Sequence, residues 1–435
     1  MEPNRSSGML LNEGRFVVGY LDETKEILCR VTFDLTREHH VLVDCMESLH
    51  ELISAPSILS PRPEQTFRIT SSETTKPVDC HIWGSFEQQI IGDDPSLFLT
   101  LRPFGNNAFL DNGSKLAKVA GEVANFNKHK LGVDRTIRLD DGIWKFELAP
   151  VEEPSSYPAE IQNQSYSFSH HLLLQRADGR SFLWSEAQPP LEMLSTFLSF
   201  CSERWIAPTL LKGYDESGKL AVQDWRAARI DPAGSRPNWL DEYDSSAMAK
   251  VFPRFAHLME HADWKETIRT AVYWYVRGNT NYVGPDGAIV LVQTALERLA
   301  WHFLVRVRHS ISARDFGDLP AAGQLRLVLD SCCVPLDLPS NLSELTKVAV
   351  GQKGEQDWVD GPQTFVAVRN QIVHPGKQKR VKGGRAFYEA LQLGKWYVEL
   401  LLLRAFGFEG SYACRLNIPM CVGSVEPVPW AQPRT

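Results

Sequence analysis

Three residues suited to cutting RNA lie close together in the stretch Asp360–Gly376, which reads DGPQTFVAVRNQIVHPG. They are Arg369, Asn370 and His374. RNA is cleaved by its own 2′-hydroxyl when a base removes the hydroxyl proton and a fixed cation stabilises the charge developing on the phosphate. Histidine can be that base near neutral pH, and the planar arginine fork matches phosphate oxygens. The run predicts a metal-independent ribonuclease site: His374 as base or hydrogen-bond donor at the 2′-hydroxyl, Arg369 at the phosphate, and Asn370 positioning both.

The same stretch predicts the helix that carries these residues. Gly361-Pro362 is a start signal, because proline suits the first helical position. Pro375 disfavours helical geometry at the residue before it and ends the helix at His374. A strand is the alternative, because several residues have high β-propensity: Phe365, Val366, Val368, Ile372 and Val373.

Arg369 and His374 are five residues apart, which places them roughly 140° apart around a helix axis. They reach one phosphate if the arginine stem wraps round the helix, or if a second copy of the helix supplies the missing group. A two-fold axis would bring two such helices to one cleft. The spacing therefore predicts a homodimer through the C-terminal part of the chain.

This Arg-polar-x-x-x-His run near the C-terminus, flanked by long apolar helices, resembles the HEPN family over residues Trp264 to Phe406. The resemblance implies a dimerising helical bundle, with Arg369, Asn370 and His374 at the positions of the family's arginine, polar residue and histidine. It implies an endoribonuclease that needs no metal or other cofactor, acting as a toxin or abortive-infection effector in phage defence. Some members keep the fold without activity, so a non-catalytic RNA- or nucleotide-binding or scaffolding module is the alternative.

One position departs from a branch of that family. Gly376 stands two residues after His374, where toxins regulated by a nucleotidyltransferase have a tyrosine. The chain therefore does not resemble that branch. The alternative without any active site is a helix end with a solvated arginine and a capping histidine.

Two groups of basic residues are candidate RNA contacts. One follows His374 directly and includes Lys377, Lys379, Arg380, Lys382 and Arg385; it predicts either a loop that holds the RNA backbone or a solvated surface loop. The other recurs at helical spacing and comprises Arg298, His302, Arg306 and His309. It predicts either a phosphate-contacting stripe or a solvated face, with Glu297 pairing locally.

A different motif offers metal chemistry. His257, Glu260 and His261 match the His-x-x-Glu-His pattern of inverted zinc peptidases, in which two histidines bind the metal and the glutamate is the base. No third ligand is identifiable, so no metal is expected. The pairs His39-His40 and His170-His171 occur in strand-like stretches, where adjacent side chains point to opposite faces.

Net charge, apolar runs and cysteine spacing limit which partners the protein can bind and in which compartment it is expected. The formal net charge of −7 argues against a generally basic nucleic-acid coat, so RNA must contact a local patch. We see no apolar run of membrane-spanning length and no signal-peptide pattern. The eight cysteines lack CxxC spacing. These features predict a cytoplasmic protein that does not enter a membrane.

The hydrophobic pattern predicts an α+β chain with a β-rich domain over residues 1–235, a helical HEPN domain over 236–410 and a proline-containing tail over 411–435. The linker is expected at Asp231–Asn238. The first domain resembles, loosely, the N-terminal domain of Apea-like HEPN defence proteins, which implies an unknown trigger ligand. Within it we expect a hairpin around Asp178-Gly179 and a helix from Leu191 to Trp205 after a Pro-Pro start.

Overall fold

The structure is a computed structural model of the full chain. It describes residues 9–20, 23–34, 40–48, 66–70, 78–82, 87–91, 94–103, 110–126, 135–151, 167–224, 228–233, 237–241, 244, 246–279, 283–352, 359–374, 384–417 and 423–431.

Two compact units divide the chain. The first contains residues 1–126, 142–195 and 206–234, and the second contains residues 127–141, 196–205 and 235–435. The last boundary falls inside the expected linker. The sequence predicts one boundary after residue 235 and a separate tail from residue 411. In the structure, residues 127–141 and 196–205 also belong to the second unit, and so do residues 411–435.

The first unit begins with an antiparallel sheet in the strand order β3-β2-β1-β4-β5-β7-β6, in which β3 also pairs with β7. Six strands therefore close into a ring, which leaves no free edge among them. These strands contain most of the β-branched and aromatic runs of this region, which agrees with the expected β-rich domain. The strands are β1 (Met9–Tyr20), β2 (Glu23–Asp34), β3 (His40–Ser48), β4 (Thr66–Thr70), β5 (Val78–Ile82), β6 (Glu87–Ile91) and β7 (Asp94–Pro103).

A second antiparallel sheet follows, and its strands within the first unit run in the order β11-β12-β9-β13-β14-β8. In β12 the buried and more exposed residues alternate: His170 is buried and His171 is exposed, as expected for adjacent strand residues. The strands of this region, with β10 in the second unit, are β8 (Leu110–Asp111), β9 (Lys118–Ala124), β10 (Ile137–Asp140), β11 (Trp144–Pro150), β12 (Phe168–Arg176), β13 (Pro208–Tyr214) and β14 (Leu220–Asp224).

The expected hairpin around Asp178-Gly179 is wrong. Gly179 does turn the chain with φ +73°, but Phe182 then forms an isolated bridge with Leu116, not a strand beside β12. Helix α1 (Trp184–Ser202) begins there, seven residues before the expected start. The Glu186 carboxylate accepts a hydrogen bond from the Leu183 N–H at 2.7 Å and caps the helix, so Pro189 and Pro190 lie inside it.

The second unit is mostly helical, which confirms the α+β class. One of its helices, Pro285–Trp301, continues directly into a π-helical turn, His302–Val307. The helices are α2 (Ser246–Glu260), α3 (Ala262–Arg277), α4 (Pro285–Trp301), α5 (Ala313–Asp318), α6 (Ala321–Ser331), α7 (Ser343–Gln352), α8 (Gly361–Val373) and α9 (Gly384–Ala405).

Helix α4 runs through the core of this unit. Apolar residues at helical spacing along α4 and the turn after it are buried: Val292, Leu296, Leu299 and Phe303. Helix α9 contacts α4 and α8, and a Cβ on Gly394 would lie 2.5 Å from the Phe365 ring. The absence of a side chain at residue 394 therefore allows α9 and α8 to pack closely.

The C-terminal segment belongs to the helical unit. Two short strands, β15 (Ser411–Tyr412) and β16 (Glu426–Pro427), pair with each other. Between them Arg415 is only 2% exposed and forms ion pairs with Glu203 and Glu399 at 2.7 Å. Residues 411–417 thus contribute to the core of this unit and do not form a separate tail.

One described stretch, Pro285–Val307, has the length and mean hydropathy of a membrane-spanning helix. Core helices of folded proteins share both properties, and 61% of its most apolar window is buried inside the chain.

Candidate functional site

The helix that carries the candidate catalytic residues is fixed at its start by a buried aspartate. Asp360 is the N-cap of α8, and its Oδ1 accepts the N–H of Gln363 at 2.8 Å. Arg326 of α6 donates to both carboxylate oxygens, at 2.6 and 3.2 Å. A capped and ion-paired N-terminus, together with Pro362 in the first turn, sets the position of α8 against α6.

The far end of α8 is where the candidate residues emerge from the core. Phe365 to Val368 are buried, Arg369 and Asn370 are half-buried, and His374 is exposed. The helix ends at Val373, and His374 has left helical geometry with φ −129° and ψ 66°. Its backbone N–H still donates to the Asn370 carbonyl at 2.8 Å. Both predicted ends of the helix are confirmed, and the strand alternative is wrong because the apolar residues pack as a helical face.

Arg369 has few partners. Its Nη1 donates to the Asn370 side-chain oxygen at 3.2 Å, while its Nε is buried without a hydrogen-bond partner among the described residues. No carboxylate of the described part of the chain pairs with it. By contrast, Arg326 and Arg415 each bind carboxylates in the same unit. Arg369 therefore presents a positive charge that an anion can still neutralise.

The structure brings only part of the predicted trio together. Arg369 and Asn370 are hydrogen-bonded, but no described hydrogen bond joins the His374 side chain to either of them. The separation expected from helical spacing stays a prediction, because His374 itself is no longer helical. The candidate RNA-contacting residues Lys377, Lys379, Arg380 and Lys382 lie outside the described residues.

In the second group of basic residues, both arginines already form ion pairs with acidic residues. Arg298 pairs with Glu266 at 2.9 Å, and Arg306 pairs with Asp263 at 2.5 Å; both acids belong to α3. The arginines cross to a neighbouring helix and do not pair with Glu297, which accepts a hydrogen bond from Gln293 instead. Because the charges of Arg298 and Arg306 are already neutralised by acidic residues, the prediction that these arginines contact RNA loses its support.

His302, a member of the same basic group, lies in the core of the helical unit. It is 2% exposed, its ring lies 4.2 Å from that of Trp264, and its Nδ1 is 3.1 Å from the Thr267 hydroxyl. Burial lowers the pKa of His302 to about 4, and the nearby charge of Asp263 opposes that shift only in part. A buried neutral imidazole cannot contact a phosphate in solution.

The zinc-peptidase pattern lies at the junction of two helices. His257 belongs to α2, which ends at Glu260, and His261 is the N-cap of α3. The two rings are 5.0 Å apart and His257 lies 3.8 Å from the Glu260 carboxylate. Within the described residues, no three histidine, cysteine or acidic side chains are grouped as metal ligands.

Sequence reasoning missed two sets of residues that organise this unit. Asp360 could have been found, because an aspartate three residues before a glutamine at a helix start is a capping pattern. The buried cluster of Glu203, Lys395, Glu399 and Arg415 had no local signal, since Arg415 and Glu203 are 212 residues apart in the chain.

Comparison with known proteins finds similarity over two stretches of the chain. Residues 115–236 match the YopA central domain, and residues 261–426 match the YopA C-terminal domain. The SPbeta prophage-derived uncharacterized protein YopA of Bacillus subtilis (strain 168) is 31% identical over 266 residues. That match covers 61% of this chain but only 58% of the relative. No solved structure matches. Neither domain description names HEPN, so that resemblance rests on the residues of the motif.

Proposed function

We propose that this chain is a metal-independent endoribonuclease of the HEPN type, whose active site is built from Arg369, Asn370 and His374. The observation that carries the proposal is the half-buried Arg369, which has no carboxylate partner among the described residues. It lies in the last part of α8, next to an amide that accepts its hydrogen bond, and an exposed histidine follows directly after the helix. A cation left unpaired at the edge of a core fits a site for an anionic ligand better than a structural role.

The chemistry assigned to these residues is internal transesterification. His374 removes the 2′-hydroxyl proton, the 2′-oxygen forms a bond to phosphorus, and the bond from phosphorus to the 5′-oxygen breaks. Arg369 binds the phosphate oxygens while their negative charge increases. Asn370 holds the guanidinium at 3.2 Å. The 5′-oxygen takes a proton from an imidazolium or from water, so the products are a 2′,3′-cyclic phosphate and a 5′-hydroxyl.

A second copy of the chain completes the site in this proposal. The side chains of Arg369 and His374 share no described contact within one chain. Two α8 helices related by a two-fold axis would place the arginine of each beside the histidine of the other. The active form is therefore a homodimer through the helical unit.

The biological setting we propose is phage defence through abortive infection, with the first unit responding to an unidentified trigger. Its support is the resemblance of the motif and the matched relative, whose name describes it as prophage-derived. A toxin of this kind acts on RNA of the cell that makes it.

Expression in bacteria tests the proposal. We expect wild type to arrest growth and degrade cellular RNA, and we expect Arg369→Ala and His374→Ala to abolish both effects at equal protein levels. His257→Ala is the matched control, because His257 is an exposed helical histidine outside the site. Intact RNA with wild type, in cells infected by phage as well as uninfected, would favour the non-catalytic RNA-binding module instead.

A further inference from the structure

A cleft in the helical unit has one face of helix α9 in its wall. Its volume is about 380 Å³, within the range of roughly 300–1,000 Å³ found for small-molecule sites. None of its lining residues belongs to α8, so it does not contain the candidate ribonuclease residues. The α9 residues that line it recur at helical spacing and are Tyr388, Leu391, Gln392 and Lys395.

The charged groups in and behind this wall bind one another. Arg415 donates to both oxygens of Glu399 and to one oxygen of Glu203. Glu203 also pairs with Lys395 at 3.2 Å and accepts a hydrogen bond from the Asn279 side chain. The four charged side chains are at most 3% exposed. They are two carboxylates and two cations, so the wall offers a ligand no unpaired charge.

The amide of Gln392 is a polar group of the wall that is only half used. Its oxygen accepts a hydrogen bond from Arg415 Nη1 at 3.0 Å. Because arginine only donates, this contact fixes which end of the amide is the oxygen. The amide nitrogen has no hydrogen-bond partner among the described residues, and it is not sealed from solvent although the residue is only 7% exposed. Gln392 therefore gives the cleft a hydrogen-bond donor in a fixed orientation.

An aromatic ring and apolar side chains form other parts of the wall. Tyr388 lies one helical turn before Gln392 and is 45% exposed. Val283, Pro285 and Leu391 supply apolar surface. Aromatic rings stack with flat π-systems, and apolar surface disfavours a charged ligand. These residues therefore suit a flat and uncharged ligand.

The start of α4 also lines the cleft but does not make it an anion site. Gly284 is the N-cap and has no side chain to satisfy the first-turn N–H groups. Asp286 in that first turn already places a carboxylate beside them. This carboxylate interacts favourably with the helix dipole and repels a second negative charge. The ligand expected here is therefore neutral and presents a hydrogen-bond acceptor to Gln392.

We propose that this cleft binds a neutral nucleobase with a ring carbonyl, as the free base or its nucleoside. The base stacks on Tyr388, and its carbonyl oxygen accepts a hydrogen bond from the Gln392 amide nitrogen. The rest of the ligand lies against Val283 and Leu391. Nucleobases are abundant planar molecules that combine ring carbonyls with no net charge, and proteins hold single bases by stacking and by hydrogen bonds to their edges. This site does not depend on the proposed ribonuclease activity.

The test uses the full chain with uridine, cytidine, guanosine, inosine and adenosine, each at millimolar concentration. We expect at least one of the first four, which have a ring carbonyl, to raise the melting temperature by a few degrees and to bind with one site per chain in titration calorimetry. Adenosine has an amino group and no ring carbonyl, so it should bind at least tenfold more weakly than the best of them. No binding by any of the four, or equal binding of adenosine, would overturn the proposal.

Two further ligands distinguish a free nucleoside from a base within RNA. The 5′-monophosphate of the bound nucleoside should bind no more tightly than the nucleoside, because the cleft offers no unpaired cation. A short single-stranded oligonucleotide of the same base should not displace the nucleoside at equal concentration of bases, when His374→Ala is used so that the strand stays intact. Displacement by the oligonucleotide would assign the cleft to a base in a strand and overturn the assignment to a free ligand.

Substitutions of Tyr388 test the stacking. Tyr388→Ala removes the ring and should weaken binding about tenfold, whereas Tyr388→Phe keeps the ring and should bind within about twofold of wild type. The matched control Tyr273→Ala, at an exposed tyrosine of α3 outside the cleft, should leave the affinity unchanged. Wild-type affinity in Tyr388→Ala would contradict the proposed pose.

Substitution of Gln392 tests the hydrogen bond. Gln392→Glu keeps an oxygen for Arg415 but replaces the donor by an acceptor, so it should abolish the preference for a ring carbonyl over adenosine. Val283→Trp fills the cleft without changing the ion pairs, and it should abolish binding even if Gln392→Glu fails to fold. Wild-type affinity in Val283→Trp would place the ligand elsewhere and refute the site.

Discussion

Arg369 and His302 show how different the surroundings of two basic residues in one helical unit can be. Arg369 keeps its charge available, since the described residues offer it only the Asn370 amide. His302 lies in the core against Trp264 and Thr267. Both were candidates for RNA contact from their spacing in the sequence. Spacing alone could not separate them, because a helical face is solvated or buried according to the helices that pack on it.

The buried histidine predicts a specific pH dependence. Burial lowers the pKa of His302 from 6.5 to about 4, so the unfolded chain takes up this proton at higher pH than the folded chain does. Stability should therefore fall as pH decreases from about 6.5 to about 4. Melting temperatures measured across that range should fall less steeply for His302→Gln than for wild type. The matched control His257→Gln, at an exposed site, should keep the wild-type slope; equal slopes in all three proteins would contradict the assignment.

At the scale of the element, α8 depends on its cap. Asp360 accepts the Gln363 N–H and pairs with Arg326 while being 4% exposed. Loss of a cap costs about 0.5–2 kcal/mol, and breaking a buried ion pair costs about 3–5 kcal/mol. We expect Asp360→Ala to lower the free energy of unfolding by about 2–4 kcal/mol in denaturant titrations, because Arg326 keeps some contact with solvent.

A second substitution separates the two roles of that aspartate. Asp360→Asn retains a capping oxygen but removes the charge that holds Arg326, so its destabilisation should be smaller than that of alanine. Asp330→Ala is the control, at an aspartate of α6 that does not cap α8. If Asp360→Ala and Asp330→Ala had the same small effect, the cap would not be what positions α8.

The sequence predicted elements better than it predicted their long-range contacts. The ends of α8 follow from Gly361-Pro362 and Pro375, because those residues act on their own neighbourhood. The predicted start of α1 is wrong because a Pro-Pro pair is only a common helix start signal, whereas Glu186 caps the helix earlier. The π-helical turn after Trp301 has no comparable local signal.

At the scale of the whole molecule, the C-terminal segment contributes buried ion pairs to the core of the helical unit. Arg415 neutralises Glu203 and Glu399, both fully buried, and connects segments far apart in the sequence. This contact could not be predicted from the sequence, because no periodicity relates residues 203 and 415. The sequence therefore predicts a tail over residues 411–435, whereas residues 412–416 are buried in the structure.

Substitution of Arg415 should lower the urea concentration at which the helical unit unfolds. We expect Arg415→Met to cost about 3–5 kcal/mol, since two buried carboxylates lose their cation. Far-ultraviolet circular dichroism during urea titration measures the change. Arg404→Met, at an arginine stacked on Trp430, is the control and should cost much less. If Arg415→Met were as stable as wild type, the ion pairs of Arg415 with Glu203 and Glu399 would not stabilise the fold.

Assembly is also a property of the whole molecule. Light scattering should give a mass of two chains, about twice 49.1 kDa. Mixing inactive Arg369→Ala chains with inactive His374→Ala chains should restore partial activity, because one cleft of a mixed dimer regains both groups. A strictly monomeric protein that still cuts RNA would contradict the composite site.

The central claim is that Arg369 and His374 cleave RNA without a metal. The most direct measurement incubates purified protein with end-labelled RNA in EDTA and identifies the new ends. We predict 2′,3′-cyclic phosphate and 5′-hydroxyl ends with wild type and with His257→Ala. With Arg369→Ala or His374→Ala, whose circular dichroism should match wild type, we predict a loss of at least 100-fold, as removal of a catalytic base costs about 10²–10⁴-fold. Cleavage that continues unchanged in both variants, or that disappears in EDTA, would contradict this account.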